Sequence, residues 1–134
     1  MAKEQLPPVL VVDDNVDNAA IIREYLEVRG YPITVAHSGD EALALFETVK
    51  PALVLLDVMM PGRDGWEVCR VMKQHPHLGK TVRVIMVTAL GDIDDKHEAI
   101  QMGADDFVVK PFDLSTLVST VQRNLAAQRT ALAS

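Results

Sequence analysis

Only one cysteine, Cys69, occurs in the 134-residue chain. It has no partner within the chain, which excludes a disulfide-framed scaffold and fits a reducing cytoplasm. Aromatic residues are scarce at 4%, so aliphatic side chains must supply most of the core volume. Basic residues are in deficit: thirteen Lys and Arg face nineteen Asp and Glu, a net charge of −6. That sign argues against direct binding to DNA or RNA, which relies on cations gripping phosphates. Long apolar runs are missing too. The longest, residues 7–12 and 51–56, fall far short of the ~20 residues that cross a bilayer. The first eight residues lack the basic end and apolar run of a signal peptide. What remains, 49% hydrophobic and 24% charged, is the mixture of one globular domain. At this length folding buries on the order of two thirds of the unfolded surface, so a core forms without metal or disulfide staples.

Short apolar runs alternate with longer amphipathic ones, the βαβα pattern. Residues 9–12, 33–36, 52–56, 82–87 and 107–109 are β-branched-rich and mostly continuous, as expected of strands buried on both faces. Helices are expected between them. The first covers 16–29 and is closed by Gly30, and the second covers 39–49, opened by Ser38 with Glu41 three residues on. Asp64 with Glu67 starts a third that ends near His75 and Pro76. A fourth covers 92–102 before Gly103, with Asp92, Asp94 and Asp95 where the helix dipole favours negative charge. A fifth starts at Asp113 and places Leu114, Leu117, Val118, Val121 and Leu125 on one stripe. The domain is expected over 8–127, between tails at 1–7 and 128–134. Strict alternation implies a parallel, doubly wound α/β sheet, because each right-handed crossover starts the next strand in the same direction. Ligand chemistry in such sheets sits outside the carboxyl ends of the strands.

Four of the five strand ends deliver a charged or reactive group: Asp13 and Asp14, then Asp57, Thr88 and Lys110. Singly, each is an ordinary helix cap or solvated loop residue. Together they put three carboxylates in one crevice. Two like charges ~4 Å apart cost ~4 kcal/mol at an effective dielectric of 20, so cations must stand beside them. Lys110 supplies one charge and a hard divalent ion, Mg²⁺, would supply two more, leaving coordination positions for phosphate oxygens. Asp57, after the most apolar strand, can act as nucleophile on phosphorus to give an aspartyl phosphate. Lys110 and the Thr88 hydroxyl could hold the phosphoryl oxygens in transit. Pro61 and Gly62 sit where a type II turn requires them, fixing the rim above Asp57.

With these residues in this order, the chain resembles the receiver domains of bacterial two-component response regulators. The resemblance rests on Val11-Val12-Asp13-Asp14-Asn15, on Leu55-Leu56-Asp57-Val58-Met59-Met60-Pro61-Gly62-Arg63-Asp64-Gly65, on Val87-Thr88-Ala89, and on the run from Gly103 through Lys110-Pro111-Phe112. It implies a flavodoxin-like (βα)5 fold with strand order 2-1-3-4-5 and a cis bond before Pro111. It also implies Asp57 as phosphoacceptor, Asp14 as direct Mg²⁺ ligand, Asp13 acting mostly through a metal-bound water, and Met59 as a ligand through its carbonyl. Thr88 and Lys110 match the phosphate-contacting pair, and Phe107 the aromatic switch position that moves with Thr88. The implied donor is a sensor histidine kinase or a histidine phosphotransfer protein. The implied output is a switched surface of the fourth helix, fifth strand and fifth helix, read by a partner protein or output domain. The resemblance implies no enzyme toward other substrates, only catalysis of its own phosphotransfer and autodephosphorylation. Met59 and Leu90 match the positions that flank the phosphoryl group. Their apolar side chains predict a long-lived phosphorylated state.

Other residues fit plainer roles. Trp66 and Cys69 are expected to be packing groups, the latter an inert thiol. His37, His75, His77 and His97 show no metal-ligand spacing and are expected to be solvated. Three rival functions are weaker. An aspartate-nucleophile phosphatase would carry its nucleophile on the first strand in an Asp-x-Asp pattern, which Asp13-Asp14-Asn15 does not match. A nucleotide-binding module would need a GxGxxG or GxxxxGK[ST] loop. A phosphorylation-independent docking module would not need every site residue to be present. No output domain is visible in the sequence, which leaves a free-standing regulator and a receiver cut from a larger protein equally open.

Overall fold

A strand that is apolar along its whole length needs cover on both faces, and this chain provides it by sending alternate strand residues to opposite layers. The computed structural model describes residues 6–58, 60, 62, 64–89 and 103–133, with the backbone path alone at 88, 89 and 129–133. The elements are β1 (Val9–Val12), α1 (Val16–Val28), β2 (Ile33–Ala36), α2 (Gly39–Val49), β3 (Leu53–Asp57), α3 (Gly65–Lys73), β4 (Arg83–Ala89), β5 (Asp106–Lys110) and α4 (Leu114–Ala133). A short 3-10 turn, Leu78–Lys80, precedes β4. The five strands are parallel in the order β2-β1-β3-β4-β5. The expected fourth helix, 92–102, lies outside the described residues, so α4 is the fifth helix of the sequence pattern.

Leu10, Val12, Val54, Leu56, Val84 and Met86 pack with Ala42 and Phe46 of α2 and with Val68, Cys69 and Met72 of α3. Their strand neighbours Val9, Val11, Leu53, Leu55, Ile85 and Val108 pack with Ile22 and Leu26 of α1 and with Leu117, Val121 and Leu125 of α4. Each Val, Leu, Ile, Phe or Met side chain among them contributes roughly 1.5–3 kcal/mol when fully buried. The helix starts are capped as their sequences suggest. Asn15 accepts from Asn18 N–H at 3.0 Å, Ser38 from Glu41 N–H at 3.1 Å, Asp64 from Glu67 N–H at 2.8 Å and Asp113 from Thr116 N–H at 2.7 Å.

The structure departs from the sequence reading at element ends, and a polar residue with a distant partner accounts for most departures. Asp57 belongs to β3 rather than following it, paired in register with Val87. Arg83 opens β4, its guanidinium donating to Asn124 Oδ1 at 2.9 Å. Asp106 opens β5 because Arg123 and Asn124 of α4 bond its Oδ2 at 2.7 and 2.9 Å. The helix α4 runs to Ala133, well into the expected C-terminal tail. Gln128, buried, donates to Ala52 O at 2.9 Å and Thr81 O at 2.7 Å, which pins that end of the helix to the loops entering β3 and β4. α2 ends on Lys50 in the left-handed region at φ 52°, a role its side chain does not announce.

His75 corrects another expectation. Instead of being solvated, its ring packs edge-on against Phe46, its Nε2 lies 3.0 Å from Glu47, and its Nδ1 accepts from the His77 and Leu78 N–H groups. Those two backbone donors fix the proton on Nε2. His97 lies outside the described residues. Cys69 is fully buried and unbridged, as expected, and burial, helped by Asp105 and opposed by Lys73, pushes its thiol up to about 12. Trp66 packs half-buried against the α2/α3 layer.

Candidate functional site

Because all five strands run the same way, the ends of β1, β3 and β5 open on one edge of the sheet. There Asp13, Asp14 and Asp57 each offer a carboxylate oxygen, and these atoms lie within 4.8 Å of one another. Asp13 and Asp57 are buried, at 4% and 5% exposure, while Asp14 faces solvent. The Lys110 ammonium, at the end of β5, donates to Asp57 Oδ2 at 3.2 Å. Lys110 and Pro111 are joined by a cis peptide bond.

Local structure holds the carboxylates in place. Asp13 N–H donates to Ala36 O at 3.0 Å, extending the β1–β2 pairing by one residue. The Asn15 N–H donates to Asp13 Oδ1 at 2.9 Å while the Asn15 side chain caps α1, so one residue orients a ligand atom and starts a helix. The His37 ring donates from Nδ1 to the Asp13 carbonyl at 3.1 Å; this histidine is exposed but not merely solvated. Asp57 is fixed by its strand neighbours, and Val58 N–H donates to Val87 O at 3.1 Å.

The electrostatics are unbalanced. Burial raises the Asp13 carboxyl above its ordinary 3.8, and the charges of Asp57 and Asp14 push the same way against the Asn15 N–H and Lys110. Among the described residues, three carboxylates stand against one ammonium within a few ångströms. Hard oxygen donors gathered this closely, two of them buried, suit a small divalent cation such as Mg²⁺. Beside them a cavity of about 500 Å³ lies between α1 and the segment after β5, with Ile21, Phe112 and Leu114 on its apolar walls and Asp13 and Lys110 at one end.

Of the other expected site residues, Thr88 lies in β4 opposite Val109, one residue beyond the Asp57 partner Val87. Its side chain is outside the description. Phe107 pairs with Met86 and packs half-buried against the α2/α3 layer. Met59, Leu90, Pro61 and Arg63 lie outside the described residues. Gly62 has φ 82°, the value a type II turn needs at its third position. The contacts that Asn15, Gly65 and His37 make at the site were not read from the sequence. Asn15 was legible as a helix cap, and Gly65 as a glycine at the first position of a helix. His37 gave no signal, because its contact is to a backbone atom on another strand.

Comparison with known proteins agrees with this geometry. The family model for the response regulator receiver domain matches residues 9–122. The "Probable transcriptional regulator ycf27" of Cyanophora paradoxa is 40% identical over 114 residues, covering 85% of this chain and 46% of that protein. The protein of the same name from Porphyra purpurea is 39% identical over 120 residues, covering 90% and 48%. The chain therefore spans about half the length of these curated relatives. Among solved structures, the receiver domain of a signal transduction histidine kinase from Syntrophus aciditrophicus superposes with a TM-score of 0.83 at 35% identity, over 91% of this chain and 92% of that one. The chemotaxis response regulator CheY4 of Vibrio cholerae superposes with a TM-score of 0.83 at 30% identity, over 89% and 98%.

Proposed function

Because the chain belongs to the response regulator receiver domains, we propose that it is a phosphoacceptor signalling domain in which Asp57 takes a phosphoryl group from a phosphohistidine. The donor is a sensor histidine kinase or a histidine phosphotransfer protein. The observation that carries this reading is the buried Asp57 carboxylate set 3.2 Å from the Lys110 ammonium and clustered with Asp13 and Asp14 at the carboxyl edge of the sheet.

In the transfer, an Asp57 carboxylate oxygen forms a bond to phosphorus as the bond from phosphorus to the donor imidazole nitrogen breaks. The nitrogen keeps the electron pair and takes its proton from solvent. Lys110 starts on Asp57 Oδ2 and is placed to shift onto a phosphoryl oxygen, and the Thr88 hydroxyl holds another. Asp13, Asp14 and Asp57, with the Met59 carbonyl, are the residues that would hold Mg²⁺; when bound, the ion supplies charge neutralisation to carboxylates and phosphoryl oxygens. The domain works on its own aspartate rather than as an enzyme on other substrates. Thr88 and Phe107 pass the change to a surface containing β5 and α4, which a partner protein or output domain reads. The setting is the cytoplasm, where a lone thiol stays reduced; no helix among the described residues is long and apolar enough to cross a membrane. The position of Asp57 on the third strand rather than the first weighs against the aspartate-nucleophile phosphatase.

The test is intact-mass analysis after incubation with acetyl phosphate and Mg²⁺. The wild type should gain one phosphate, excess EDTA should abolish the gain, and Asp57→Asn should not label. Labelling of Asp57→Asn under the same conditions would remove Asp57 from its role.

A further inference from the structure

The start of α3 is pressed against the peptide that carries the phosphoacceptor. A Cβ added at Gly65 would lie 2.3 Å from the Asp57 carbonyl oxygen, 2.8 Å from Val58 Cα and 3.0 Å from the Asp57 carbonyl carbon. All three neighbours are backbone atoms, so no side chain can swing aside. The next residue, Val58, is held on both sides of its Cα. Val58 N–H donates to Val87 O of β4 at 3.1 Å, and Val58 O accepts from Gly65 N–H at 3.1 Å.

We infer that Gly65 is a positioning residue for phosphorylation: its missing side chain lets α3 clamp the Asp57–Val58 peptide and thereby sets where the Asp57 carboxylate stands against Lys110, Asp13 and Asp14. This rests on the proposed phosphoacceptor role of Asp57. Relieving a 2.3 Å approach to an ordinary contact near 3.4 Å moves the helix start and the strand end apart by roughly an ångström. Close-packed β3 can share that movement only by displacing Asp57. A misplacement of that size at a reacting group costs about a hundredfold in rate.

Gly79 supplies the control. A Cβ there would meet Lys73 O at 2.3 Å and Met72 O at 2.8 Å, an equally severe clash at the other end of α3. Gly65→Ala and Gly79→Ala should both unfold at lower urea concentration. At a temperature where both remain folded, only Gly65→Ala should lose the rate of labelling by acetyl phosphate and Mg²⁺, by about a hundredfold. Only Gly65→Ala should move the backbone amide resonances of Asp57, Val58 and Lys110 in metal-free protein. A Gly65→Ala rate within about threefold of wild type, or an equal loss in Gly79→Ala, overturns the inference. If Gly65→Ala does not fold, Asp64→Ala removes the cap that holds the first turn at Gly65, and it should slow labelling several-fold where Asp113→Ala, the matching loss on α4, does not; equal rates overturn the inference. If the wild type takes no label, the phosphoacceptor reading fails, and the amide resonances alone decide the clamp: unmoved resonances in Gly65→Ala overturn it.

Discussion

At the scale of single residues, burial decides which reactive groups are available for chemistry. Asp57 and Cys69 are both buried, at 5% and 0% exposure, but their surroundings differ. Asp57 meets an ammonium and opens on a crevice, whereas Cys69 sits mid-helix among Val68, Met72 and the α2/α3 layer. Burial of the thiol, against the nearby Lys73, pushes its pKa up from 9.0 to about 12. A group raised in the folded state gives stability that is fully present below the unfolded value and lost as pH rises toward the folded one. Between pH 9 and 12 the wild type should therefore lose stability relative to Cys69→Ala by about 1 kcal/mol per pH unit, read from paired urea titrations at stepped pH. At pH 8 the native thiol should react with a disulfide reagent only as fast as the protein opens, and at full rate in urea. Prompt native reaction would contradict the burial. The packing role of Cys69 was legible from its place in mid-helix with no base nearby in sequence, and the carboxylates from their place at strand ends. The His37 contact to the Asp13 carbonyl was not, since nothing in the sequence around either residue points to the other.

At the scale of elements, interiors were legible and ends were not. The apolar runs of β1 and β2 and the capped start of α2 depend on neighbours in sequence, and their boundaries follow from it. The ends of β4, β5 and α4 depend on Arg83, Asp106, Asn124 and Gln128, whose partners lie across the fold. The Asp106 carboxyl shows how fully such a polar end is satisfied. Burial works to raise it, yet hydrogen bonds from Arg123, Asn124 and the Phe107 N–H together hold it below the usual carboxylate value. Gln128 gives the cleanest test of this account. Gln128→Ala leaves Ala52 O with its bond from Arg83 N–H but takes from Thr81 O the donor it has in Gln128. The expected loss is about 1–3 kcal/mol, with hydrogen exchange accelerated over the last turns of α4 and unchanged in β1. Unchanged protection there would mean that α4 is held by its apolar stripe alone.

At the scale of the whole molecule, the parallel topology gathers charge at one edge, in a chain already at −6. The topology was legible because five buried strands joined by helices leave few arrangements; the strand order came from resemblance. What composition could not give is the cost of the gathering: folding brings Asp13, Asp14 and Asp57 within 4.8 Å of one another, while the unfolded chain keeps Asp57 more than forty residues away. A divalent cation that binds this cluster binds the folded state and not the unfolded one, so it must stabilise the fold by mass action. At a concentration a hundredfold above its dissociation constant the gain is about 2.7 kcal/mol, a rise in Tm of roughly 8 °C for a domain of this size. Calorimetry across a Mg²⁺ series should show that rise in the wild type. Asp14→Ala should lose most of it, because the ion would lose its solvent-facing carboxylate while the buried pair around Lys110 stays. Sodium chloride at matched ionic strength should reproduce only a small part, since screening by monovalent salt acts weakly on buried charge. An equal rise in Asp14→Ala, or one matched by sodium, would mean that the cluster relieves its repulsion without a bound ion.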